Sequence, residues 1–411
     1  MAGLHDLAGW LVRRRSSLPA WMTRIIDAPA RNPDGLIGRL AYRVLGGGGA
    51  PNTTVPDAAT RVYIAPTNYS GQGFLWARAL ERAQSDVGAR NMAVDIPGGF
   101  AFRADTTVPI AVNSASAEWQ RAEWEAVQRF THVLIEAERP IFGGLFGRSV
   151  LSEVEALEAA GLSVAFLSHG TDIRSPRAHA ALTPWSPYPE DPRTDTLQAD
   201  ADANAVLLET LRRPTFVSTP DLLLDVPWAR WCPVVVDGAR FAADRPVLAE
   251  QTARVIHVSS SPVQKGSHHI EPALRPLIDA QTIGYELVSG VSSDSMPGVI
   301  GSADIVLDQF RIGSYGVAAC EAMAAGRIVV GHVLPQVREH ILAETGLALP
   351  IVEATPDTLH AVVSGLLTDR DRAREIAALG PAYVEAVHSG AHSAAVLLDG
   401  WIDRSGDADG N

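Results

Sequence analysis

An α/β fold built on parallel sheets is what this sequence predicts, and three observations carry the prediction. Short, wholly apolar runs recur along it, such as 305–307 and 328–330, and each suits a strand buried on both faces. Stretches of helical periodicity alternate with these runs, the order that puts helices on both sides of a parallel sheet. Glycine-marked turns lead from strand to helix at 66–73 and 313–316. With 411 residues, 46% hydrophobic and 20% charged, the chain has ordinary globular composition and the length for two domains.

The formal charge of -13, from 34 basic against 47 acidic residues, argues against a nucleic-acid partner, which needs clustered Lys and Arg to neutralise phosphates. Cys232 and Cys320 lie far apart among apolar neighbours and read as buried thiols in a reducing compartment. No apolar run approaches the length of a bilayer span, and the opening residues lack the apolar core of a signal peptide, so a cytoplasmic protein is expected.

Residues 1–60 read as a basic N-terminal extension ending in a Gly/Pro linker. Within 1–45, seven Arg against three Asp give +4, leaving -17 for the remainder. Leu4, Leu7, Leu11, Trp21 and Ile25 recur at near-helical spacing beside Arg13, Arg14 and Arg15. Such a helix packs on its own protein or lies on an anionic membrane surface; self-packing is the favoured reading. Four glycines, 46–49, then break the pattern.

A strand at 61–65, the glycine loop 66–73 and a helix from Phe74 open a nucleotide-binding type of α/β domain. Strands follow at 91–96, 132–136, 163–167 and 215–218, with helices at 118–130 and 149–160. The segment 97–116 reads as a long surface loop. After 167 come His169, Asp172 and Arg174, at the carboxyl end of a parallel strand, where open sheets bind ligands. Their plainer reading is a capped helix start with Asp172 and Arg174 paired. Residues 190–202 read as acidic and Pro-broken, leading into a helix at 199–211 whose first turn holds Asp200 and Asp202; carboxylates there suit the helix dipole without a metal. The first domain is placed at 61–248.

The second domain, 249–385, opens with a strand at 255–258 and the loop 259–266, which ends in Lys265 and Gly266. A Lys between strand end and helix start adds a point charge to an anion site. His268 and His269 have no third partner for a metal, and no metal site is expected. A strand at 285–289 precedes Gly290. In the central unit, the strand 305–307 leads to a helix that Gly313, Ser314 and Gly316 introduce, Val317 to Ala324 form and Gly326 ends; the strand 328–330 follows. Free amides at Gly316 and Val317 suit a phosphate, while Glu321, a turn further in, suits sugar hydroxyls. Together they fit a nucleotide diphosphate sugar better than a phosphate alone, although a plain packed βαβ unit reads equally well from spacing. A strand at 350–353, helices at 358–367, 371–379 and 382–387, and a terminal segment 386–411 with a helix at 393–402 complete the chain.

The run Gly-Ser-Tyr-Gly-Val-Ala-Ala-Cys-Glu-Ala-Met-Ala-Ala-Gly-Arg-Ile-Val-Val, 313–330, resembles the donor-binding segment of retaining GT-B glycosyltransferases, bacterial group 1 and family 4-like. The resemblance extends loosely over 61–402, where His-Gly-Thr-Asp-Ile-Arg, 169–174, is similar to a segment in the N-terminal half of bacterial members. It implies two Rossmann-like domains facing across a cleft, and hexosyl transfer with retention from a nucleotide diphosphate sugar to a saccharide or lipid-linked acceptor. It further implies front-side displacement without metal or cofactor, in envelope polysaccharide assembly at the inner membrane face.

By the same resemblance His169, Lys265 and Glu321 serve the reaction. Gly71, Gly73, Lys265, Gly290, Gly313, Ser314, Tyr315, Gly316, Val317 and Glu321 face the donor, and Asp172 and Arg174 the acceptor. Family members carry two glutamates with seven residues between them. Glu321 matches the ribose-binding second, but Gly313 stands at the first, which leaves room for a bulkier sugar or leaves the sugar ungripped. The upstream Arg that accompanies Lys-Gly is replaced by serines. Two alternatives therefore stay open: a non-catalytic binding module, and a nucleotide-sugar epimerase on the same fold.

Overall fold

The computed structural model describes residues 49–96, 102–259 and 261–406. The expectations for 1–45, for 97–101 and for the tail beyond 406 lie outside the described residues. By contacts the chain divides into two compact units, one running to Leu167 and taking up Ser405 onward, the other spanning Ser168–Arg404.

The strands of the first unit are β1 (Thr60–Ala65), β2 (Val87–Asp95), β3 (Thr106–Pro109), β4 (His132–Glu136) and β5 (Ser163–Ser168). All pair in parallel in the order β3-β2-β1-β4-β5. Every residue of β4 is buried, as expected of a strand with both faces covered. The segment expected as one surface loop over 97–116 holds β3 and the helix Ile110–Ala115. Thr-Thr-Val-Pro is short and ends in Pro, which suits the sheet edge that it occupies.

The second unit contains β6 (Thr215–Val217), parallel to β7 (Arg230–Trp231), and a separate sheet of five strands. These are β8 (Ala253–Val258), β9 (Ile283–Val288), β10 (Ile305–Leu307), β11 (Ile328–Gly331) and β12 (Ile351–Glu353), ordered β12-β11-β10-β8-β9 and parallel throughout. Alternation sorts their side chains: Ile305, Leu307, Ile328 and Val330 join Ile270, Leu274, Leu359 and Val363 in one core. Chain order runs outward from β8 in one direction and from β10 in the other. The loops that follow β8 and β10 therefore flank the point where strand order reverses, the place where open α/β sheets bind ligands.

Two helices differ from expectation. Thr194–Leu211 begins five residues before 199, so Asp200 and Asp202 lie beyond the first turn, whose acid is Asp195, and the dipole argument moves to that residue. Arg370–His388 is continuous through Pro381, where two helices were expected. It packs closely on the helix Val317–Ala324: a Cβ on Gly380 would meet the Met323 carbonyl at 2.5 Å. Tertiary contact here overrides the helix-breaking tendency of proline.

Candidate functional site

At the switch point, Lys265 follows β8 and Asp308 follows β10. Lys265 is the only lysine of the chain. Its ammonium donates to the Val258 carbonyl at 2.9 Å and to Asp308 Oδ1 at 3.3 Å. The other oxygen of Asp308 accepts from the Gly316 amide at 3.3 Å. Strand end, cation and helix start thus converge on one carboxylate that the sequence reading missed, because an Asp after an apolar run looks like any polar strand end.

Glu321 is half-buried on the first turns of Val317–Ala324. Burial pushes its carboxyl up to about 7, against the opposing pull of Arg240 and then Lys265. Arg240 itself is held by the Ser293 carbonyl at 2.7 Å and Asp294 at 3.0 Å. Lys265, Gly316, Val317 and Glu321, all picked from sequence, are therefore neighbours in chain or in charge. Gly290 follows β9 with φ 70 and nothing within 4 Å of where a side chain would start.

Gly313 is not an opening. Its φ of +74 is left-handed, and a Cβ there would lie 2.5 Å from Leu334 Cγ. Leu334, which donates its amide to the Gly313 carbonyl at 2.9 Å, fills the position. The expected room for a bulkier sugar at this point is thus corrected: an apolar side chain occupies it. Ser314 and Tyr315 turn inward as well, both almost fully buried. The Tyr315 hydroxyl lies 3.3 Å from that of Tyr383 and 3.2 Å from His388 Nε2, so its side chain serves the core and not the surface.

The loop after β5 is internally satisfied. Asp172 accepts from the amides of His169, at 2.6 Å, and Gly170, both before it, so it closes the loop on itself; the helix Pro176–Leu182 is capped instead by Ser175, whose hydroxyl accepts from the Ala178 amide at 3.3 Å. Arg174 pairs with Asp221 instead of Asp172, both nearly buried, with Nη2 to Oδ2 at 2.6 Å. Burial favours the neutral acid at Asp221, but Arg174 and then the Ser314 hydroxyl outweigh it and hold the carboxyl below its ordinary range. His169 is half-buried in this loop, and its carbonyl accepts from the Ser218 hydroxyl at 3.3 Å.

Two further residues tie this region to the loop after β10. His179 Nε2 is 2.9 Å from the Ile312 carbonyl, which only accepts, so that nitrogen carries the proton; Nδ1 takes the Ser186 hydroxyl at 2.8 Å. Burial lowers its pKa, in keeping with a neutral ring. Arg311, 3% exposed, donates to the carbonyls of Trp185 at 2.9 Å and Ser186 at 2.7 Å, and forks onto Glu190 at 2.8 and 3.0 Å.

In the first unit, Gly71 and Gly73 are buried. Gly73 is a packing glycine: a Cβ would stand 2.5 Å from Asn91 Nδ2 and 3.2 Å from Glu136 Oε1. Glu136, wholly buried, accepts from the amides of Thr67 and Asn68 at 3.1 and 3.0 Å. An internal carboxylate thus pins the glycine loop. Among the described residues, no group of three or more His, Cys, Asp or Glu could hold a metal. None of the described helices is long and apolar enough to cross a membrane.

Two parallel α/β sheets with this connectivity make up the GT-B fold of glycosyltransferases, as the resemblance implied. Solved structures carry that assignment. Sucrose-phosphate synthase from Thermosynechococcus elongatus is similar at TM-score 0.55 and 11% identity, over 85% of this chain and 100% of that one. A glycosyltransferase from Rickettsia africae ESF-5 is similar at 0.54 and 10%, over 87% and 100%. HepE of Anabaena, in complex with UDP-glucose, is similar at 0.52 and 10%, over 83% and 99%. No family model and no curated protein matches the chain.

Proposed function

We propose that this chain is a glycosyltransferase that moves a hexose from a nucleotide diphosphate donor to a saccharide or lipid-linked acceptor, with retention at the anomeric carbon. The observation that carries the reading is the convergence of the chain's one lysine and the amides that start Val317–Ala324 at the strand-order reversal, with Glu321 close enough in charge to feel Lys265. Of 34 basic residues this one alone is an ammonium, a compact three-donor charge that suits a phosphate oxygen approached from several sides. Lys265 and the Gly316 and Val317 amides stabilise charge on the leaving diphosphate, and Glu321 accepts from the ribose hydroxyls. UDP-glucose in the structurally similar HepE supports a sugar nucleotide as donor. In this reading His169 serves the reaction through a hydrogen bond to a sugar hydroxyl, and Asp172 and Arg174 belong on the acceptor side, acting through the loop that they hold.

The reaction so proposed needs neither metal nor cofactor, because front-side displacement asks only for charge stabilisation at the leaving group. Envelope polysaccharide assembly on the cytoplasmic side remains its proposed setting, with residues 1–45 as the segment that would touch the membrane. One observation favours a non-catalytic sugar-nucleotide binder instead: Leu334 fills the position where family members carry a donor-gripping carboxylate.

Turnover of a nucleotide-sugar panel, followed by mass spectrometry, separates the two. Glu321→Gln should weaken nucleotide binding by about 1–3 kcal/mol, and Lys265→Ala should weaken it as well. Unchanged calorimetric affinity in both variants would sink the site. Binding without transfer or hydrolysis would leave the non-catalytic reading.

A further inference from the structure

We infer that Asp308 is a selectivity residue of this site, an internal stand-in for phosphate that makes the site refuse small phosphates lacking a nucleoside. The inference rests on the donor-site reading above. Asp308 is 2% exposed, and its two oxygens engage the two groups proposed to meet the diphosphate, the Lys265 ammonium and the Gly316 amide, each at 3.3 Å. The lysine charge is therefore balanced before any ligand arrives.

What remains for a ligand is limited and specific. Lys265 has three N–H groups; Val258 and Asp308 take two, leaving one without an acceptor among the described residues. The amides of Val317 and Ala318, which begin the helix, likewise have no acceptor there. A phosphate can reach these donors only beside the Asp308 carboxylate, and like charges at contact range in a half-buried site repel strongly. A bare pyrophosphate gains little from such a place. A nucleoside diphosphate adds its ribose, for which Glu321 provides an acceptor on the same helix, and that contact offsets the repulsion.

Calorimetry on the full chain with inorganic pyrophosphate and with a nucleoside diphosphate panel tests this. Wild type should bind a nucleoside diphosphate but take up pyrophosphate at best weakly. In Asp308→Asn, which keeps the shape and an acceptor for Gly316, pyrophosphate affinity should rise by about tenfold or more. The gain should vanish in Asp308→Asn combined with Lys265→Met. Equal or weaker pyrophosphate binding by Asp308→Asn, in a protein that binds nucleoside diphosphate, overturns the inference alone. Failure of wild type to bind any nucleoside diphosphate overturns the donor site with it.

The single lysine gives a second measurement that needs no variant. Amine-directed acylation of wild type should be blocked at Lys265 by nucleoside diphosphate and left unblocked by pyrophosphate. Equal protection by both would refute the selectivity role even if Asp308→Asn did not fold.

Discussion

Installing the carboxylate that the resembled family carries, by Gly313→Glu, should destabilise this protein and not improve its grip on sugar. Two costs arise from the backbone and its neighbour. A side chain at φ +74 costs about 1–2 kcal/mol. Forcing a Cβ to 2.5 Å from Leu334 Cγ costs about 1–3 kcal/mol more as overpacking. Together they remove about 2–5 kcal/mol from a stability that for most domains is about 5–15 kcal/mol. Gly313→Ala isolates these two terms, since it adds a Cβ and no charge. Leu334→Ala costs about 2–5 kcal/mol by its own cavity, because Leu334 is nearly buried. In the double variant the new methyl group enters space that Leu334 has vacated, so the pair should cost at least about 1 kcal/mol less than the two singles added. Denaturant unfolding of the four proteins measures the cycle. Additive losses, or a Gly313→Ala protein within about 0.5 kcal/mol of wild type, would show that Leu334 yields and that the position is open after all.

Donor affinity should also follow pH. With Glu321 pushed up to about 7 by burial, it is mostly protonated at pH 6 and mostly ionised at pH 8. Ribose hydroxyls favour the ionised acceptor, so binding lowers this pKa, and affinity should rise from pH 6 to 8 and then level. Calorimetry with a nucleotide sugar checks this, and Glu321→Gln should flatten the profile; a flat or falling wild-type curve contradicts the assignment. In the first unit, Gly73→Ala should cost about 1–3 kcal/mol, because its Cβ would press on Asn91 at 2.5 Å. Unfolding within about 0.5 kcal/mol of wild type would contradict that packing role.

Local signals carried most of the sheet from sequence. The runs 132–136, apolar at 133–135, and 305–307 coincide with β4 and β10, because a strand buried on both faces is apolar except where an internal partner meets a polar group. Elements specified by distant contacts were not legible. The early start at Thr194, the edge strand Thr106–Pro109 and the helix running through Pro381 each depend on what they pack against. The site divides in the same way. Glu321 and Gly316 were visible as a motif in one short segment. Asp308 acquires its meaning only from a lysine 43 residues away, and Gly313 from a leucine 21 residues away. One compositional clue was there for the reading: a chain that writes Arg at every basic position except 265 reserves that position for an ammonium.

Arg311 bears on how a pH titration of this protein is to be interpreted. Two of the acceptors of its guanidinium are backbone carbonyls, which do not titrate. The third, Glu190, is held below the ordinary carboxylate range first by its hydrogen bond to Arg311, so it stays ionised into mildly acid solution. The fastening between 185–190 and the loop after β10 is therefore indifferent to the interval in which Glu321 changes charge. Acidification from pH 8 to 6 therefore changes the charge of Glu321 without loosening this fastening, and in the first unit it also reaches Glu153, which burial likewise pushes up to about 7.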